Sequence, residues 1–166
     1  MKDKFKIDSH KLMYHVKRVS SWLDGKQIYP IYMEISPSGT CNHRCVFCSM
    51  DFMGYKKRYI DHEILMKRIT EFSALGVKSI MYAGEGEPFL NKDTPEIILH
   101  TKRSGIDVGI TTNGVLLRPS VTDMILNSVE WIKISLNAGT AETYAKIHGT
   151  NEKDFENQKI KFVRKI

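Results

Sequence analysis

The sequence predicts an α/β protein, a partial parallel (β/α) barrel of about four strand–helix units. Three observations carry that prediction. Short apolar runs alternate with amphipathic segments four times between residues 28 and 147, and strands alternating with helices imply parallel pairing through right-handed crossovers. Every polar or glycine-rich motif follows a strand, at the end where parallel sheets gather their chemistry. The 166 residues, 42% hydrophobic, suffice for one packed domain but not for a closed eight-fold barrel, which takes ~250 residues.

Residues 1–28 read as an N-terminal helical extension ahead of a partial core domain over 29–166. Leu12, Val16, Val19 and Leu23 recur at helical spacing, and Met13 and Trp22 widen the apolar stripe. Ser9 is placed to cap this helix and Asp24-Gly25 to stop it. Docking onto the core is the expected role. Lys11, Lys17 and Arg18 make a membrane-surface helix the lesser reading. Residues 28–35 form the first predicted strand, closed by Ser36-Pro37-Ser38-Gly39-Thr40. Asp61 caps a helix that buries Ile64, Leu65, Ile69, Phe72 and Leu75 and ends at Gly76. Residues 77–83 form the second strand and run into Gly84-Glu85-Gly86-Glu87-Pro88. Thr94-Pro95 opens the next helix, residues 106–111 form the third strand, and Pro119-Ser120 leads a short helix through Leu126. Residues 131–136 form the fourth strand, and Thr140 caps a helical segment through Ile147. In the tail, Phe155, Phe162, Val163 and Ile166 keep partial helical spacing that Asn157-Gln158-Lys159 interrupts.

No secretory leader is expected, because the basic N-terminus leads into no apolar run. No stretch approaches the ~18 apolar residues of a membrane span. Both readings point to the cytoplasm, where thiols stay reduced. The net charge of +6 comes from scattered lysines, which favours a solvated surface over a dedicated nucleic-acid patch.

All three cysteines fall within eight residues, Cys41-Asn42-His43-Arg44-Cys45-Val46-Phe47-Cys48. In a reducing compartment, clustered cysteines suggest a metal centre rather than disulfides. The spacing C-x₃-C-x₂-C differs from the ferredoxin patterns and from the paired C-x₂-C of zinc ribbons. Three thiolates on a four-iron cube leave one iron open. Glycines at 84 and 86 permit close approach of backbone to a ligand, and Glu85, Glu87 or neighbouring carbonyls can accept from an ammonium group. Thr112, Asn113, Ser135 and Asn137 offer short polar groups, and Phe47 an apolar face. Simpler readings exist for each element. Three cysteines with His43 or His62 can hold structural zinc; the glycine-rich stretch and Thr112-Asn113-Gly114 are, taken singly, ordinary turns. Met50, Met53, Met66 and Met81 read as core filler. Residues 51–55 read either as a lid or as a cover over the metal. Glu34 either pairs with a lysine or lines the site.

The cysteine loop after the first strand, with Phe47 as the aromatic before the last cysteine, resembles the cluster-binding loop of the radical S-adenosylmethionine (radical SAM) superfamily. The later strand ends are similar to the same family. Residues 82–88 match its glycine–glutamate–proline motif in a G-x-G-E-P form, Thr111-Thr112-Asn113-Gly114 its T-N-G motif, and Ser135-Leu136-Asn137 its fourth-strand polar pair. The resemblance runs from about residue 31 to 149.

This resemblance implies an oxidoreductase-type radical enzyme. Cys41, Cys45 and Cys48 would hold a [4Fe-4S] cluster, and S-adenosylmethionine would chelate the open iron. Phe47, Gly84, Glu85, Gly86, Glu87, Thr112, Asn113, Ser135 and Asn137 would contact that cofactor. Reductive cleavage would give a 5′-deoxyadenosyl radical that removes hydrogen from a peptide, a small molecule or RNA. A flavodoxin or ferredoxin would supply the electron. The family's core has six strands, so the fold is expected to be incomplete relative to it, with a complementing chain as one way to finish the barrel. The second function reading is a truncated, catalytically inactive iron–sulfur or zinc module.

Overall fold

The computed structural model of the chain describes residues 11–159. Ser9, read as a helix cap, and Phe162, Val163 and Ile166, read as tail spacing, lie outside the described residues. The centre is a four-stranded sheet: β1 (Tyr32–Ile35), β2 (Ser79–Tyr82), β3 (Asp107–Thr112) and β4 (Trp131–Ile134), ordered β1-β2-β3-β4. All three pairings are parallel. Right-handed crossovers between sequential neighbours place every connecting helix on one face, which curves the sheet as an arc of a barrel.

Residues paired across parallel strands share a face. Met33, Ile80 and Val108 form one row, and Ile35, Tyr82, Ile110 and Ile132 form another. These rows meet α2 (His62–Ala74), α3 (Thr94–Arg103) and α4 (Pro119–Ile125) in a core with Leu65, Ile69, Ile97, Ile98 and Ile125. The buried Tyr82 hydroxyl lies 2.6 Å from Thr101 Oγ1. Thr101 donates to the Ile97 carbonyl, so the phenol is the donor between the two hydroxyls. The row between, Glu34–Met81–Gly109–Trp131, faces the concave side. Glu34 is exposed there and accepts a hydrogen bond from Tyr32 at 2.7 Å.

The helix signals translate locally. Asp61 accepts from the Ile64 N–H at 2.9 Å, Thr140 accepts from the Thr143 N–H at 3.3 Å, and Pro95 sits in the first turn of α3. The predicted first strand shortens to its second half, because Pro30 has no N–H to add to a ladder.

The N-terminal helix, α1 (Val16–Leu23), departs from the expectation of core docking. Leu12, Val16, Trp22 and Leu23 are 64, 70, 62 and 74% exposed. With α2–α4 already covering the helix side of the sheet, α1 is held through Arg18, which donates to the Tyr29 and Gly76 carbonyls at 2.5 and 3.1 Å. Among the described residues no helix is long and apolar enough to cross a membrane.

Beyond β4, α5 (Ala141–His148) and α6 (Glu152–Lys159) pack on each other and bury Tyr144, Phe155 and Gln158. Gln158, which breaks the apolar spacing of the tail, is an anchor. Its amide donates to the Asn113 carbonyl and, at 2.5 Å, to the Tyr144 hydroxyl.

Candidate metal and cofactor site

A cavity of about 330 Å³ opens above the C-terminal ends of the strands. All three cysteines line it, and none is in a disulfide. Phe47, Gly84, Glu85, Gly86, Glu87, Thr112, Asn113 and Ser135 line it as well. Asn137 does not; it is exposed and turns the chain at φ 50°. His43, weighed as a zinc ligand, Tyr55, within the 51–55 lid or cover, and Thr111 of the T-N-G segment also line the cavity; so do Ser49, Met50 (read as core filler) and His148, which sequence reasoning did not place there.

The cysteine loop is fastened to α5. The N–H groups of Arg44 and Val46 donate to the carbonyls of His148 and Ile147 at 3.0 and 2.9 Å, so the free carbonyls of the helix end are satisfied by the loop. Gly149 ends the helix at φ 55°, and a Cβ there would collide with the Arg44 carbonyl. A second tie joins the loop to the third strand end: Asn113 donates to Asn42 Oδ1 at 2.8 Å.

Each thiol has a different environment. Cys41 accepts from the His43 N–H at 3.4 Å, and burial pushes its thiol up. Cys45 Sγ lies 3.2 Å from His148 Nδ1, and burial with the charges of Cys41 and Cys48 pushes it up to about 11. Cys48 is also raised by burial, but hydrogen bonds from the Tyr55 hydroxyl and the Met50 and Asp51 amides outweigh this and bring it below the ordinary thiol value. All three sulfurs belong to the wall of the same cavity. Three free thiols on one cavity wall fit a cluster held by three thiolates.

The two acidic residues of the glycine-rich stretch separate. Glu87 is 2% exposed and accepts from Thr112 Oγ1 at 2.5 Å and from the N–H groups of Asn113 and Phe89 at 2.8 and 3.3 Å. Burial raises its carboxyl despite those three donors. It organises the β2 and β3 loops around itself. Glu85 sits on the rim, paired with Arg58. Gly86 is required by the chain's own packing. A Cβ there would strike the Thr40 and Ser38 carbonyls, where the Glu87 N–H donates to Thr40 at 2.9 Å.

His43, Cys45 and His148 form a second potential ligand set, their donor atoms within 4.8 Å of one another. His43 Nε2 lies 3.3 Å from Asp154, while its buried Nδ1 has no hydrogen-bond partner. His62 pairs with Glu96 and is not part of the cavity wall.

Residues 35–160 match the family model of the radical SAM superfamily. The chain is 31% identical over 125 residues to a GTP 3′,8-cyclase of Clostridium acetobutylicum, covering 73% of this chain and 39% of that protein. It is 32% identical over 123 residues to a probable GTP 3′,8-cyclase of Saccharolobus islandicus, covering 74% and 40%. The chain thus spans about two fifths of the length of these curated relatives. Among solved structures, Streptococcus suis SuiB bound to its precursor peptide SuiA superposes with a TM-score of 0.70 at 22% identity, over 90% of this chain and 33% of that one. SuiB bound to S-adenosylmethionine gives 0.68 at 23%, over 90% and 34%. These structural likenesses carry the fold, a parallel α/β partial barrel. Superfamily members bind a [4Fe-4S] cluster and S-adenosylmethionine, and the match over residues 35–160 includes the cysteine loop and all four strand ends. The chain belongs to the radical SAM superfamily.

Proposed function

We propose that this chain binds one [4Fe-4S] cluster through Cys41, Cys45 and Cys48, binds S-adenosylmethionine beside it, and serves a radical enzyme that abstracts hydrogen from its substrate. The observation that carries this reading is the convergence of the three free thiols and the second, third and fourth strand ends on one cavity. Bound there, the cofactor pair supplies one-electron reductive cleavage of the sulfonium, the source of the hydrogen-abstracting radical. The protein's part is binding, orientation and exclusion of water. Carbonyls along residues 84–86 and the rim carboxylate of Glu85 accept from the amino group. Thr112, Asn113 and Ser135 receive carboxylate and ribose, and the half-exposed Phe47 ring gives the adenine an apolar wall. Glu87 is already saturated by its own loop, so its role is to hold Thr112 and Asn113 in place. Asn137 keeps to its turn.

Domain organisation follows the same reading: residues 1–28 form an extension and 29–166 a partial core, whose β4 edge accepts further strands from whichever polypeptide supplies them. A low-potential carrier of the flavodoxin or ferredoxin class delivers the electron in the cytoplasm. Of the substrate classes, peptide, small molecule and RNA, the cyclase relatives favour a small molecule. A second reading, a zinc module without turnover, is favoured by one observation, the His43–Cys45–His148 group. Anaerobic reconstitution separates the two. Four irons per chain, with 5′-deoxyadenosine formed from S-adenosylmethionine on dithionite reduction, support the enzyme. Iron without deoxyadenosine sinks the catalytic claim, and stoichiometric zinc in place of iron sinks the cluster.

A further inference from the structure

We infer that residues 46–58, the outer face of the cysteine loop and the turn after it, dock an acidic one-electron carrier protein, with Phe52 as apolar centre and Lys56 and Lys57 as charge contacts. The inference rests on the proposed cluster ligation and deepens it by locating where the electron enters.

This stretch presents large apolar side chains to water. Phe52 is 82% exposed, Met53 beside it 56%, and Val46 of the same loop 77%. Phe52 and Met53 belong to a 3₁₀ turn, Asp51–Met53. The backbone on either side is fastened. The Val46 N–H donates to the Ile147 carbonyl at 2.9 Å, the Gly39 N–H to the Arg58 carbonyl at 2.9 Å, and the Ile60 N–H to the Pro37 carbonyl at 3.1 Å. Arg44 braces the stretch from within, its Nε 3.3 Å from Asp51 and its guanidinium 4.7 Å from the centre of the Tyr55 ring.

The same surface is basic. Residues 44–59 carry four cations and a single carboxylate. Asp51 takes Arg44, and the rim residue Glu85 takes Arg58. Among the described residues, Lys56 and Lys57 are exposed and have no ion-pair partner. An apolar centre beside unneutralised lysines fits a partner whose own apolar patch is ringed by carboxylates. Redox complexes are small and transient, so electrostatic steering governs how fast they form.

Position selects the kind of partner. Met53 and Lys56 line a second cavity of about 310 Å³, whose wall shares Met50, Tyr55 and Glu85 with the cysteine cavity. The Tyr55 hydroxyl is 3.2 Å from Cys48 Sγ. A carrier seated here faces the thiols across that shared wall. The exposed apolar face of α1 lies beside residues 28–31 ahead of β1, at the opposite end of the sheet from the cysteines. Two unpaired lysines are few for a polyanion such as RNA, which is held through many phosphate contacts. In the encounter one electron passes from the carrier, which is oxidised, to the cluster, which is reduced; no atom is exchanged.

The test uses the full chain, reconstituted anaerobically. Binding of an acidic flavodoxin and of an acidic ferredoxin is measured by biolayer interferometry at low and high salt. Cluster reduction is followed by stopped-flow absorbance with the reduced carrier or with dithionite. Expected is wild-type binding that weakens as salt is raised, because screening shortens the reach of the lysines. Lys56→Glu/Lys57→Glu should bind at least about tenfold more weakly at low salt. Phe52→Ala should also bind more weakly while keeping the salt dependence. Both variants should be reduced more slowly by the carrier and at the wild-type rate by dithionite. Wild-type binding in both variants, or equal slowing with carrier and dithionite, overturns the inference and leaves the proposed function standing. So does a wild-type chain that binds neither carrier yet forms 5′-deoxyadenosine with dithionite. Binding of a short oligoribonucleotide in place of either carrier overturns it in favour of nucleic acid. A wild-type chain that takes up no four-iron cluster overturns both docking and the proposed function.

Discussion

Cys41, Cys45 and Cys48 share one loop and one cavity yet differ as acids, and this difference is measurable without metal. Thiolate, not thiol, reacts with alkylating agents. Cys48, brought below the ordinary thiol value, should be labelled first by iodoacetamide at neutral pH in the apo protein, and Cys45, pushed up to about 11, last. Peptide mapping over time reads the order, and early labelling of Cys45 would contradict it. Glu87 gives a second residue-level prediction. Its folded pKa is raised above the ordinary 4.5, mainly by burial. A carboxyl raised in the folded state contributes most below its unfolded pKa, and that contribution is lost as pH rises through the folded value. The stability difference between wild type and Glu87→Gln should therefore shift against wild type between pH 4 and pH 8. Urea unfolding at the two pH values measures it; a difference that grows in favour of wild type with pH would mean that the three donors outweigh burial.

Elements differ in how firmly they are held. Ile110 on β3 is fully buried between helices, so Ile110→Ala should cost about 2–5 kcal/mol. Leu23 on α1 is 74% exposed, and Leu23→Ala should stay within about 0.5 kcal/mol. Chemical denaturation of both variants tests whether α1 is peripheral to the core, and equal losses would show that it is not. The junction of α5 with the cysteine loop has its own probe. Gly149→Ala meets both a left-handed φ and the Arg44 carbonyl, so it should cost more than the ~1 kcal/mol of the backbone strain alone. It should also lower iron uptake on reconstitution; normal uptake would show that the loop holds its shape without α5.

At the scale of the molecule, the four strand–helix units were legible because each element has its own period. Apolar residues alternate along β3, and α2 and α3 keep helical spacing with capping signals at their ends. The cysteine, glycine-rich and T-N-G motifs were legible because parallel topology brings successive strand ends to one rim. The docking of α1 was misjudged, since an apolar stripe states that a face is hydrophobic but not that a partner is free to cover it. The roles of Glu85 and Glu87 could not be separated in advance. They are two positions apart, and only the fold turns one to the rim and buries the other against Thr112 and Asn113. Gln158 read as a break in the tail because its partners, Asn113 and Tyr144, lie 45 and 14 residues away.

The sequence by itself determined the class of the protein. Local periodicity dictates strands and helices, alternation dictates a parallel sheet, and C-x₃-C-x₂-C with its aromatic dictates which loop can hold a metal centre. Tertiary structure decided how that loop is supported. His148 comes 103 residues after Cys45, at the end of a helix with no motif of its own, and reaches the sulfur only because α5 folds back over the strand ends. Contacts between residues far apart in the chain depend on the path of the backbone between them, which no local pattern encodes.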